Sequence, residues 1–217
     1  MNIKAMLIDF DGTIVTTDIL DVICGIVGKK EESRKLNEEY HKGIRSGCTS
    51  LITRINFLKG VTTTQIKQKL AENDFLMPGA EEFFYYLNSN NIISILCSGN
   101  LVLILDYYKK KLGITHVVGT KPKINENKII SMSEKDFSVS GTGFKLSASK
   151  AILNRYNIKA SEVVAIGDSP ADKSIFEFAE KNIAINPKEG IDNYADFVIK
   201  NDLSKAINIL NNLMNDY

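Results

Sequence analysis

The sequence predicts an α/β chain: a doubly wound parallel sheet with a small helical block inserted after the first strand. Three observations carry this. Short apolar runs alternate with helix-patterned segments over most of the chain, and such alternation implies right-handed crossovers with helices on both sheet faces. Residues 16–76 break the alternation with four helix-like stretches and almost no strand signal. Polar clusters rich in Asp, Ser and Gly follow three of the apolar runs, where open α/β sheets place their sites.

The elements follow in order. "IKAMLI" (3–8), "NIISILCSG" (91–99), "EVVAIGD" (162–168), "NIAIN" (182–186) and "DFVIK" (196–200) read as strands, the first three as buried ones. Between them, helical spacing runs through 78–90, 101–113, 147–157, 171–181 and 202–215. The second of these ends in a basic turn and Gly113, and the third starts at a possible Ser147 cap. The last places Leu203, Ala206, Ile207, Leu210, Leu213 and Met214 on one face. In 16–76, Gly28, Gly43, Gly47 and Gly60 punctuate the helical stretches. Segment 119–144 has no clear helix, and "KPKIN" and "KIISM" around Glu126-Asn127 read as a hairpin. The domain expectation is a core of 1–15 and 77–217 and a helical unit of 16–76.

Composition sets bounds on function. A chain of 217 residues can bury a proper core. Lys and Arg number 27 against 26 acids, so nothing points to nucleic acid or an anionic membrane as partner. Cys24, Cys48 and Cys97 form no Cys-x-x-Cys pair and read as reduced thiols. His41 and His116 are far apart, which argues against a zinc site or a histidine dyad. No apolar run approaches the ~18 residues of a membrane span, and no signal-peptide pattern opens the chain. The expectation is a cytoplasmic protein.

The three clusters are Asp9 and Asp11, then Ser98, Gly99 and Asn100, then Gly167, Asp168, Ser169 and Asp172. One would be ordinary loop polarity, but three on one sheet edge suggest a site. Asp9, Asp11 and Asp168 together would repel and raise one another's pKa values. A hard divalent cation relieves this, and oxygen-only ligands suit Mg2+. The metal would hold a phosphate against the carboxylates. Ser98 offers a hydroxyl, the amides of Gly99 and Asn100 are expected to open a helix, and Lys145 or Lys150 could add positive charge. Asp9 would then attack phosphorus, and Asp11 would serve as acid and then base. Gly12 lets the backbone turn tightly, and Thr13 can orient Asp9.

"DFDGT" (9–13), "SG" (98–99) and "GDSPAD" (167–172) resemble the first, second and fourth motifs of the haloacid dehalogenase superfamily, in its phosphoserine-phosphatase-like branch. The resemblance covers nearly the whole chain. It implies a Rossmann-like core under a mobile helical cap, Asp9 as nucleophile and Asp11 as acid/base. It also implies Asp168 and the Asp11 carbonyl as Mg2+ ligands with Asp172 in support. Lys145 lies 23 residues before Asp168 and Lys150 lies 18 before it; the branch spacing favours Lys145 as the phosphate-binding lysine. In the cap, Asp18 would take an amino group and Arg54 a carboxylate. Asp18 stands where the family has Glu, Asn100 where it has Gly, and Ala171 where it has Asn. These departures touch the substrate pocket rather than the chemistry.

The expectation is a Mg2+-dependent phosphomonoesterase for a small phosphorylated metabolite, with phosphoserine or a related phosphorylated amino acid suggested by the resemblance. The alternatives are a phosphotransferase using the same aspartyl-phosphate and a non-catalytic phospholigand-binding protein. The second acid, Asp11, argues against dehalogenation. Oligomeric state stays open.

Overall fold

The computed structural model describes residues 1–133 and 144–215. Its strands are β1 (Ala5–Ile8), β2 (Ile93–Leu101), β3 (His116–Thr120), β4 (Lys123–Asn125), β5 (Lys128–Ser131), β6 (Val163–Gly167), β7 (Lys181–Ile185) and β8 (Phe197–Ile199). Six form one parallel sheet in the order β3-β2-β1-β6-β7-β8. Setting aside the hairpin, this is the doubly wound order 3-2-1-4-5-6, which reverses direction between β1 and β6. Sequence reading missed β3. It is a half-buried edge strand whose apolar run is only Val117-Val118 before Gly119.

β1 lies at the centre and is buried on both faces, as parallel strands require. Its side chains alternate. Met6 and Ile8 join a core with Leu96, Ile166 and Ile185 on one face. Ala5 and Leu7 join Ile95, Cys97, Ala165 and Ala184 on the other. The period of two thus divides one apolar run between two cores.

The helices are α1 (Ile19–Cys24), α2 (Lys30–His41), α3 (Gly47–Phe57), α4 (Thr63–Ala71), α5 (Ala80–Ser89), α6 (Val102–Leu112), α7 (Phe144–Arg155), α8 (Lys173–Phe178) and α9 (Lys205–Asn215). Leu153, Ile175 and Phe176 of α7 and α8 belong to the second core; Phe83, Leu105 and Leu210 of α5, α6 and α9 belong to the first. α7 begins a turn before Ser147, so Lys145 stands in its first turn.

Helices α1 to α4 lie between residues 19 and 71. Asp18 caps α1, Ser46 caps α3, and Thr62 with Gln65 forms a capping box on α4. The chain enters and leaves this block through adjacent segments. Val15 bridges Leu76, and Thr16 N and Met77 N donate to Phe75 O and Ile14 O at 2.9 and 2.8 Å. The block's apolar side chains, among them Ile23, Ile55 and Ile66, join the same cluster as the first sheet face.

The expected hairpin is β4 and β5, paired antiparallel. Glu126 and Asn127 both take positive φ, 45° and 64°, as a two-residue turn matching strand twist demands. The hairpin docks on the helical block: Gly60 N donates to Ile129 O (2.7 Å), Ile129 N to Val61 O (2.9 Å) and Thr63 N to Asn127 O (2.8 Å). Residues 134–143 of the segment read as 119–144 lie outside the described residues.

Candidate active site

The acidic residues gather beyond the carboxyl ends of β1 and β6, at the point where the sheet order reverses. Asp9 leaves β1 with its N–H donating to Ile166 O on β6 (3.0 Å). Its Oδ2 accepts the Thr13 hydroxyl (3.2 Å), and its Oδ1 accepts the Lys145 ammonium (2.6 Å). Lys145 also donates to Asp172 Oδ1 (2.7 Å). The other Asp172 oxygen accepts the N–H groups of Asp168 and Ser169 (3.1 and 3.3 Å) and fixes the loop after β6. Carboxylate oxygens of Asp9, Asp168 and Asp172 lie within 4.8 Å of one another, and all three residues are buried.

Two glycines permit this crowding. Gly12 has φ +86°, and a Cβ there would stand 2.0 Å from Asp168 Oδ2. A Cβ on Gly167 would meet Asp172 Oδ2 at 2.4 Å. A side chain at Gly12 would push the two acidic loops apart, and one at Gly167 would displace the Asp172 carboxylate that fixes the loop after β6.

The Asp11 carboxylate faces away from that trio. Its Oδ1 accepts the Ile19 N–H (2.8 Å) and its Oδ2 the Asn100 side-chain amide (3.1 Å). Asn100 Oδ1 accepts the Leu101 N–H (2.8 Å), which fixes the amide with its nitrogen toward Asp11. The expectation that Gly99 and Asn100 open a helix is corrected here. β2 runs on through Leu101, and α6 starts at Val102. The segment stays extended because Leu101 pairs with Thr120 and the Thr120 hydroxyl donates to Gly99 O (2.7 Å). Ser98 is buried and its Oγ accepts the Asn100 N–H (3.0 Å).

The electrostatics are those of too many acids in one place. Burial, then Asp18 and Asp9, hold the Asp11 carboxyl well above the usual range against the Ile19 and Asn100 donors. Burial and Asp9 raise Asp168, with Lys188 opposing, and push Asp172 up to about 7 against the pull of Lys145. Burial works against the Lys145 charge, yet Asp172 and Asp9 outweigh it and keep the ammonium well above its ordinary value. The donor set is all oxygen, hard and short of positive charge, which fits Mg2+ rather than a softer metal.

These groups line a cavity of about 590 Å³ whose far wall is the helical block. Asp18 and Arg54 lie on that wall. Arg54 is only 5% exposed, so it is no solvated helix charge. It donates to Asp18 Oδ1 (2.5 Å) and Asp21 Oδ1 (2.9 Å). Burial opposes its charge, but Asp18 and Asp21 raise its pKa further. Lys150, the other candidate lysine, is exposed, with its ammonium 4.8 Å from the Phe178 ring centroid.

Sequence reading missed three site residues. Lys188 follows β7 and donates to Asp168 Oδ2 (2.6 Å); its place just past a strand end is the signal that points to it. Asp21 is a buried acid inside the apolar helix α1, a local inconsistency that is itself a clue. Tyr40 lines the cavity and packs on Gly47, where a Cβ would meet its ring at 3.0 Å; nothing local in the sequence singles it out.

Residues 6–177 match the family model of haloacid dehalogenase-like hydrolases. The chain belongs to that family. It is 27% identical over 209 residues to a phosphoserine phosphatase of Methanocaldococcus jannaschii, covering 94% of this chain and 96% of that one. It is 28% identical over 210 residues to a phosphoserine phosphatase of Campylobacter jejuni subsp. doylei, covering 96% and 100%. A solved phospho-aspartyl intermediate analogue of phosphoserine phosphatase superposes with a TM-score of 0.85 at 26% identity, covering 96% of this chain and 99% of that one. With these relatives the chain is a phosphoric monoester hydrolase of the family.

Proposed function

We propose that the chain is a Mg2+-dependent phosphomonoesterase of the cytoplasm that hydrolyses a small phosphorylated metabolite through an aspartyl-phosphate on Asp9. The observation that carries this reading is the Asp9 carboxylate. It is fixed at the end of the central strand by Thr13 and Lys145, with a second acid two residues on and the cavity in front of it.

The residues divide the work as follows. Asp9 attacks phosphorus and the bond to the leaving oxygen breaks. Asp11, whose surroundings favour its protonated form, gives that oxygen a proton. It then takes a proton from the water that attacks the same phosphorus, releasing inorganic phosphate and restoring Asp9. Ser98 and the Gly99 amide bind the phosphoryl oxygens, and Lys145 sets its charge beside them. Asp9, Asp168 and the Asp11 carbonyl would hold Mg2+ with Asp172 in support. The ion would supply charge that offsets repulsion between phosphate and carboxylates. Residues 16–76 act as the cap over a core of 1–15 and 77–217, and Asp18, with Arg54 beside it, faces the leaving group.

Phosphoserine is the substrate of the relatives by name, and this reading gives the chain a phosphorylated amino acid or a close analogue. The test is phosphate release from p-nitrophenyl phosphate and a panel of phosphorylated amino acids, amino alcohols, sugars and nucleotides, with and without Mg2+. Turnover that needs Mg2+ is expected. No turnover on any phosphomonoester would refute the proposal, and loss of phosphate to added alcohol instead of water would redirect it to phosphotransfer.

A further inference from the structure

The cap end of the cavity is arranged for a cation and has no open place for an anion. A guanidinium grips a carboxylate through two parallel N–H groups on one edge. Arg54 has neither edge open. On the edge of Nε and Nη2, Nε donates to Ser33 Oγ (2.8 Å) and Nη2 to Asp21 Oδ1 (2.9 Å). On the edge of Nη1 and Nη2, Nη2 donates to Asp18 Oδ1 (2.5 Å) and Nη1 reaches Asn37 Oδ1 (3.4 Å). Ser33 in turn donates to Asp21 Oδ1 at 2.5 Å, which ties the first edge shut. Of the other basic side chains on the cap wall, Arg45 donates to Glu39 Oε2 (2.9 Å) and His41 Nδ1 lies 3.4 Å from Glu189 Oε1.

The acid beside Arg54 is differently placed. Asp18 lines the cavity, and among the described residues its donors, Arg54 Nη2 and the Asp21 N–H, both fall on Oδ1. Its second oxygen is the one left to meet a ligand. Two acids stand against one arginine at this end of the cavity. A carboxylate brought here would have to displace Asp18 or Asp21 from Arg54 and then stand beside it. An ammonium would meet the Asp18 oxygen directly.

We infer that the preferred substrate is a phosphorylated amino alcohol, whose leaving group carries an ammonium for Asp18 and no carboxylate. Arg54 is then a positioning residue that holds Asp18. The inference rests on the phosphatase reading above. The test compares kcat/KM of the full chain with Mg2+ on O-phosphoethanolamine, O-phospho-L-serine, phosphoglycolate and ethyl phosphate, with p-nitrophenyl phosphate as reference. O-phosphoethanolamine is expected to exceed ethyl phosphate and phosphoglycolate by at least about tenfold and to equal or exceed O-phosphoserine. In Asp18→Asn the ratio of O-phosphoethanolamine to ethyl phosphate should fall to near one; the ratio discounts any general loss of folded enzyme. Faster turnover of O-phosphoserine than of O-phosphoethanolamine overturns the inference, as does an undiminished ratio in the variant. Both results leave the phosphatase reading standing, because p-nitrophenyl phosphate is still hydrolysed. Failure on all five esters overturns both.

Discussion

Asp9 and Arg54 show how differently a single charged side chain can matter. Asp9 is irreplaceable by function: Asp9→Asn keeps the size and offers the Lys145 ammonium a carbonyl oxygen, but an amide is a poor nucleophile. Turnover should drop by at least about 10³-fold with the fold intact, read as phosphate release beside a circular dichroism spectrum. Arg54 is irreplaceable by electrostatics. Arg54→Ala leaves Asp18 and Asp21 facing each other with no counter-charge in a buried place, which should cost about 3–5 kcal/mol. A urea denaturation midpoint close to the parent's would mean the pair is solvated after all. Asn100 sits between these cases. Its amide nitrogen holds Asp11, so Asn100→Ala should lower kcat by about tenfold, within the range of a general acid–base contribution, while moving KM little.

At the scale of elements, the hairpin of β4 and β5 is a strap across the helical block. Its backbone bonds to 60–63 are joined by Asn56, whose side chain donates to Met132 O (3.0 Å) and accepts from Met132 N (2.8 Å). Asn56→Ala removes both bonds at a partly exposed position and should cost about 1 kcal/mol. The informative measurement is hydrogen exchange: the amides of Ile129 and Met132 should exchange faster than in the parent, while those of β1 and β6 do not change. Equal protection at Ile129 would show that the backbone bonds alone hold the strap.

At the scale of the whole molecule, the excess of buried acid makes stability depend on pH. Asp11, Asp21, Asp168 and Asp172 all have folded pKa values raised first by burial, Asp172 to about 7. In the unfolded chain they ionise near pH ~4. Between those limits the folded state holds more protons than the unfolded one, so stability falls as pH rises. The contribution is complete below the unfolded pKa and is lost as pH passes the folded values. Lys145 and Lys188 remain charged in both states across this window and do not change the sign. The melting temperature with chelator present should therefore decline from pH 5 to pH 8, and Mg2+ should recover most of the loss at pH 8. A melting temperature that climbs over that range would contradict the acid cluster.

The sequence by itself determined the order of elements, the class of sheet and the positions of the acids, because each rests on local causes. An apolar run of four to six residues can only be a buried strand here, and a polar residue just after it must lie at the sheet's carboxyl edge. The hairpin turn at Glu126-Asn127 was legible for the same reason. What the chain's own pattern left unmarked was decided by contact between distant residues. β3 is a strand because β2 offers it an edge. The stretch from Ser98 to Leu101 is extended rather than helical because Thr120, 21 residues on, binds it. Asn100 becomes a partner of Asp11 only where two strand ends meet 89 residues apart. Arg54 illustrates the limit most sharply. Its identity announces a carboxylate partner, but only tertiary packing, which brings Asp18 and Asp21 from more than 30 residues away, decides that the partner is already inside the chain.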